Sequence, residues 1–372
     1  MCPWFDSRWH HKKERRNCAS FFCDAICGTS FYFAPRKSGL RPISFHSIIL
    51  LSLQAENTKE FMNHIGQIIS LIVAVLWTVT AIYSDKASHR IGAMSANVAR
   101  LTLSTFLLAA ILWVTIGHPY PIYADARTWF WLALSAVVGY VFGDWCLFNC
   151  YVTIGARFGQ LFMTLAPPMA ALAGWVLLGE QLSWRTALAM LVTLSGIAIS
   201  ILSRDREHYL KFTLPLKGIL LGIGAGMGQG VGLVLSKIGL EHYSAALPAQ
   251  APAMMETMLP FASTMIRAIF GSIGFILLVI ISKDLPKLKQ AARDRKAMLY
   301  VVIMSLFGPV VGVSLSLMAV RYTDAGIAST LMALTPVLIL IPAAVFDKQK
   351  IRFKEILGVT VSMIGVALFF LL

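Results

Sequence analysis

From about Ile65 to Leu372 the chain alternates blocks of roughly twenty mostly apolar residues with short polar connections. A helix of ~20 apolar residues spans a hydrocarbon core ~30 Å thick, and in lipid only helices or closed barrels satisfy every backbone polar group. The blocks are 65–83, 95–116, 129–151, 158–178, 184–202, 216–236, 261–281, 298–320, 325–346 and 354–372. Most are bounded by charge, Pro, Asn or Gly. The pattern predicts an all-α membrane protein of ten transmembrane helices.

The blocks also repeat. Residues 131–203 laid over 300–372, a shift of 169, need no gap. Gly139 then falls on Gly308, Gly143 on Gly312, Pro167 on Pro336 and Gly196 on Gly365. Residues that distort helices or let them pack closely recur at fixed places, which generic hydrophobicity does not arrange. With a longer connection allowed at 237–260, Arg100 matches Arg267, and Trp77 falls opposite Gln229 in a weaker part of the overlay. Five spans lie in 62–203 and five in 204–372. An odd number sends the second half into the membrane from the opposite side, giving two inverted five-helix repeats. Secondary transporters use that plan to hold a substrate near the midplane and expose it alternately to each side.

Composition agrees. The chain is 57% hydrophobic and 13% charged, where a soluble protein carries about a quarter charged residues. The net charge of +14 sits in the connections and the N-terminal arm, so anionic lipid explains it and nucleic acid does not. Lys and Arg crowd the connections after odd-numbered spans, while only Arg127, Arg185, Lys237 and Arg321 follow even-numbered ones. The positive-inside rule then puts the odd side in the cytoplasm, with both ends of the membrane region outside. Residues 1–61 form a basic arm with four of the six cysteines and no run of crossing length. It is expected to be disordered, or to lie upstream of a start at Met62. Cys146 and Cys150, inside a span, read as small core residues.

Several strings carry a resemblance: Val98-Ala99-Arg100 in span 2, Gly155-Ala156-Arg157 through Leu165-Ala166-Pro167-Pro168, Leu178-Gly179-Glu180 closing span 4, and Ser195-Gly196-Ile197 in span 5. In this order over two halves, residues 62–372 resemble the EamA-like family of the drug/metabolite transporter superfamily. The resemblance implies a ten-helix carrier of small metabolites, often an exporter, in the plasma (cell inner) membrane. The second half departs from the pattern, with Gln349 where Glu180 would recur.

Ionisable residues at membrane depth are costly and therefore mark candidate function. Asp144 lies ~10 Å from the nearer end of its span, too deep for a short side chain to reach water. It must face a wet cavity, pair with a cation or carry a proton, and a proton or another ion is the expected coupling partner. Arg100 and Arg267 sit near the starts of their predicted spans, where they could snorkel, bind an anionic group or lock neighbouring helices. Tyr140 shares a helical face with Asp144, and Trp145 follows it. Gln160 and Thr164 share a face of span 4, one turn before Pro167, where a kink would free backbone carbonyls. With Trp77 and Gln229, these residues sketch a polar and aromatic substrate-binding cavity. The glycines of span 6, at every fourth position from Gly218 to Gly230, predict tight packing. Glu180 and Lys237, at helix ends, read as solvated interfacial groups. No metal-ligand cluster, P-loop or nucleophile elbow occurs in the sequence, and no paired catalytic groups lie at membrane depth. No enzyme activity, cofactor or metal is therefore expected. The partners expected are the bilayer and a small-molecule substrate. A lipid-linked substrate flippase, or an assembly partner of the same fold, is the alternative.

Overall fold

Helices account for nearly all of the structure, a computed structural model that describes residues 45–154, 159, 162–202, 215–338 and 353–371. No strand occurs among the described residues. In chain order the helices are α1 (Phe45–Ile91), α2 (Ala93–Ile116) and α3, which runs Ala126–Ala136, widens into a π-helical stretch Val137–Asp144 and resumes as Trp145–Ile154. Next come α4 (Ala166–Leu178), α5 (Trp184–Leu202), α6 (Leu216–Ala245) and α7 (Ala253–Ile281). A short helix Leu285–Ala291 leads to α8, built from Arg295–Ser305, a second π-helical stretch Leu306–Val313 and Ser314–Tyr322. α9 comprises Ala325–Met332 and Thr335–Leu338, and α10 is Phe353–Leu371.

Among the described residues, six helical spans are long and apolar enough to cross a bilayer: His64–Ile91, Ala93–Ile116, Ala126–Cys150, Leu216–Ala245, Ala253–Ile281 and Arg295–Tyr322. Shorter apolar helices cover much of the other predicted spans. Parts of the predicted spans at 158–178 and 325–346 lie outside the described residues. Large apolar side chains face outward, among them Trp113, Val114, Trp175, Leu191 and Ile281. In water such patches would drive aggregation, whereas lipid solvates them. The chain is an integral, multi-pass membrane protein.

Helix ends follow local chemistry. Asp125 caps α3 by accepting the backbone N–H of Thr128 at 2.8 Å. Asp294 caps α8 by accepting those of Lys296 and Ala297 at 3.1 and 3.0 Å. Both caps satisfy donors that a helix start leaves open. The hydrogen bonds to Thr128 hold the Asp125 carboxyl below the usual carboxylate range. At the end of α4, Gly179 takes the left-handed conformation, φ 70°, which lets the Glu180 N–H turn back to the Gly174 carbonyl at 3.2 Å.

The repeat reappears in the backbone at the same shift of 169. Asp125 and Asp294 are equivalent caps. The π-helical stretches occupy equivalent residues, and each contains the two matched glycines. α4 is preceded by a two-residue break at Thr164-Leu165, and α9 is broken at Ala333-Leu334, each just ahead of a matched proline. Proline has no N–H to give the carbonyl one turn back, which weakens the helix ladder at these breaks.

Contacts between the halves are reciprocal. A Cβ on Gly196 of α5 would collide with Ser362 of α10, and one on Gly365 of α10 would collide with Thr193 of α5. Thr193 and Ser362 are themselves equivalent. Such exchanged pairs are what a pseudo-two-fold axis produces. Positions on α10 rise as those on α5 fall, the register of antiparallel packing. α6 runs antiparallel to α3 in the same way, with Gly228 on Gly143 and Gly232 on Gly139. α1 likewise opposes α8, with Gly66 near Thr323, Trp77 near Gly312 and Thr80 near Gly308. The first helix of each half therefore lies on the π-helical stretch of the other. The largest buried cluster accordingly mixes Val73, Leu108 and Leu112 with Leu240, Leu259 and Leu317. Ala55–Leu372 forms one compact unit.

Candidate functional site

The site begins with the glycines. Gly139 and Gly143 let α3 touch the backbone of α6 at Gly228 and Gly232. A π-helical turn carries one extra residue and loosens the regular ladder of backbone bonds. Gln229 of α6 uses this opening: its Nε2 donates to the Gly139 carbonyl at 3.1 Å and to Asp144 Oδ1 at 2.7 Å. Arg100 of α2 donates from Nη2 to the other carboxylate oxygen, Oδ2, at 2.7 Å. Both Asp144 oxygens are thus engaged, and the residue is only 7% exposed.

Of the three outcomes open to Asp144, pairing with a cation is the one observed. Removing either partner of a buried pair costs ~3–5 kcal/mol, because the other is left charged in an apolar medium. The arrangement ties α2, α3 and α6 together, two helices from the first half and one from the second. The Ser305 hydroxyl of α8 adds a bond to the Arg100 carbonyl at 3.2 Å.

Arg267 is placed differently. Its helix extends eight residues further toward the N-terminus than the predicted span, leaving Arg267 fourteen residues from either end of Ala253–Ile281. That is ~21 Å along the axis, beyond the reach of snorkelling. Arg267 is 4% exposed, and its guanidinium stacks on the Tyr140 ring with the centre 4.5 Å from the ring centroid. Nη2 lies 3.4 Å from the point where a Cβ on Gly139 would stand. None of its nitrogens has a hydrogen-bond or ion-pair partner among the described residues, and Nε is fully enclosed. Ring stacking contributes up to ~2 kcal/mol when desolvated, against several kcal/mol for burying the cation.

The structure therefore gathers Arg100, Tyr140, Asp144, Gln229 and Arg267. It leaves Trp77 on the equivalent crossing in the other half, where its Nε1 lies 2.9 Å from a Cβ position on Gly312. Trp145 is 39% exposed, because one residue of helix turns it away from the Asp144 side. Thr164 stands in the break before α4, and Gln160 lies outside the described residues. The gathered polar groups meet one another, since opposite charges in an apolar setting pair when they can reach. Two cavities lie toward the ends of the helices. One of about 320 Å³ is lined by Lys237, Glu241, Ser244 and Arg321, and one of about 490 Å³ by Asp85, His89, Arg90 and Lys296.

One cluster departs from the sequence reading. Glu180 and Lys237 are not interfacially solvated: Lys237 Nζ donates to Glu180 Oε1 at 2.6 Å and to the Thr323 carbonyl at 3.1 Å. Glu180 Oε2 accepts the Ala325 N–H at 3.2 Å, at the start of α9. Both side chains are nearly buried. The predicted span ends at 236 and so makes Lys237 a terminal charge, whereas α6 continues eight residues beyond it to Ala245.

The profile of the EamA-like transporter family matches residues 64–202 and, again, 216–371. A solved crystal structure superposes with a TM-score of 0.60 at 14% identity, covering 82% of this chain and 96% of the other, a likeness of fold alone. No curated protein matches. Matched once in each half, and built as two copies of one helical plan, this chain belongs to the EamA-like transporter family, within the drug/metabolite transporter superfamily.

Proposed function

We propose that this protein is a secondary transporter of the plasma membrane, moving a small organic metabolite by alternating access between two inverted five-helix repeats. The observation that carries the reading is the crossed packing of the halves. The first helix of each half lies on the π-helical stretch of the other, and one of those crossings holds a buried charged cluster. Two halves related by a pseudo-two-fold axis have two equivalent ways to lean, one open to each side.

The ends of the molecule support the same reading. Glu180 and Lys237 join the halves beside one cavity, and Arg90 and Asp294 join them beside the other. Each pair closes one mouth, and transport breaks them in turn. Asp144 is the group at which a coupling proton acts, by competing with Arg100 for the carboxylate.

The test is solute release from proteoliposomes loaded with a mixed pool of small metabolites and followed by mass spectrometry. Wild-type protein should release at least one solute. A cross-link between cysteines at 180 and 237 should stop release, and reduction should restore it. Scrambling of labelled lipid with no solute release would overturn the proposal in favour of a flippase.

A further inference from the structure

We propose that Arg267 is the docking point for a singly charged organic anion, a carboxylate-bearing solute, and that the carried substrate belongs to this class. This rests on the transporter reading above and adds the chemistry of its cargo. The two arginines equivalent in the repeat have opposite fates. Arg100 is neutralised by Asp144, whose second oxygen is already held by Gln229. Arg267 forms no ion pair among the described residues, the nearby Asp144 carboxylate being taken by Arg100 and Gln229, although it lies at the middle of a membrane-spanning helix and is 4% exposed. The cluster Arg100, Asp144 and Arg267 thus carries one uncompensated positive charge. A fixed cation at that depth attracts an anion and repels an amine, and one negative charge neutralises it. A dianionic phosphate would overshoot.

The surrounding donors fit a carboxylate. A guanidinium presents parallel N–H groups that match the two oxygens of one carboxylate. Arg267 Nε is buried with no hydrogen-bond acceptor, and so are the hydroxyls of Tyr140, stacked beneath it, and Ser263, one turn earlier on the same helix. Buried donors in native proteins nearly always find partners, and although Arg100 Nε is unpaired too, only Arg267 combines an unpaired donor with a charge that no carboxylate pairs. The absent side chain at Gly139 lets Nη2 approach the α3 backbone closely. Tyr140 alone accounts for the stacking, but a neutral ring supplies no counter-charge.

Thermal unfolding of the full-length protein in detergent tests this with matched probes: benzoate and propionate against benzamide and propionamide, and against benzylamine and propylamine. The carboxylates should raise the melting temperature, and the amides and amines should not. In Arg267→Met the ligand-free melting temperature should hold or rise, because an uncompensated charge is gone, and the carboxylate shift should vanish. Arg267→Lys, which keeps the charge but loses the fork, should retain a reduced shift. The proposal is overturned if amides or amines stabilise as well as carboxylates. It is equally overturned if only inorganic phosphate stabilises, if no probe does, or if the shift survives in Arg267→Met. A fall in ligand-free stability of Arg267→Met as large as that of Arg100→Met makes Arg267 structural and also overturns it. Carboxylates that bind through Arg267 yet never cross proteoliposomes overturn the transporter reading alone. Transport of neutral or cationic solutes, undisturbed in Arg267→Met, overturns this inference alone.

Discussion

Arg100 and Arg267 are one residue type at matching places in two halves, yet their surroundings assign them different energetics. Arg100 completes a buried pair, so Arg100→Met should destabilise the protein by about 3–5 kcal/mol by stranding Asp144. Replacing both, Arg100→Met with Asp144→Leu, should recover a large part of that loss, as denaturant unfolding in detergent will show. Asp144→Asn removes the titrating group while keeping the shape. If a proton competes with Arg100 at this carboxylate, that variant should lose pH-gradient-driven uptake; normal uptake with an unchanged pH profile removes Asp144 from coupling. Outside the membrane-spanning segments, Asp125→Ala should cost about 1 kcal/mol of helix capping. The folded protein holds the Asp125 carboxyl below its unfolded value, chiefly through Thr128. Its contribution is therefore present above the ordinary carboxylate range and disappears as pH falls through the folded value. An acid titration of wild type against Asp125→Asn should show the difference closing at the acid end.

At the scale of helices, stability depends on backbones meeting where a side chain would obstruct. A Cβ at Gly196 or Gly365 would collide with backbone atoms of the opposite helix, and backbone cannot step aside as a flexible side chain can. Gly196→Ala and Gly365→Ala should each force α5 and α10 apart and lower the melting temperature by similar amounts, because the pair is reciprocal. Unequal losses would show that the two-fold relation is only approximate in energy. These positions were legible in the sequence, since a glycine that recurs at a fixed shift among apolar residues marks a close helix crossing. So were the apolar spans and the repeat. What stayed hidden was partnership. Hydropathy gives depth along a helix but not rotation or neighbour, so it left Asp144 with three possible fates and set Trp145 beside it although the chain turns that ring outward. It also shortened α7 at its N-terminus, because Glu256 and Pro260 interrupt the apolar run without ending the helix. That misplacement made Arg267 look interfacial. The Glu180–Lys237 pair escaped for the same reason: two charges near different helix ends look solvated until packing closes over them.

At the scale of the molecule, the two ion pairs that join the halves are unequal, and the inequality predicts which mouth is harder to open. Lys237 and Glu180 have side chains 11% and 12% exposed, and Glu180 also caps α9. Arg90 and Asp294 have side chains 47% and 24% exposed, in contact with water and salt. An exposed pair is screened and holds little, whereas a buried pair with extra hydrogen bonds resists separation. The conformation described, with the central groups packed against one another, should therefore relax more readily on the Arg90 side. A cysteine at Ser244, beside the first cavity, and one at Tyr300, beside the second, report on each mouth through maleimide labelling of membrane vesicles. Arg90→Met should raise labelling at position 300 slightly. Lys237→Met should raise labelling at position 244 several-fold and slow solute release, because a mouth that cannot close cannot alternate. Added salt should mimic the first change and leave labelling at position 244 unmoved, since screening reaches the exposed pair and not the buried one. If salt opens both sites equally, the buried pair is not a latch, and closure at that face comes from the apolar contacts of α4, α6 and α9 instead.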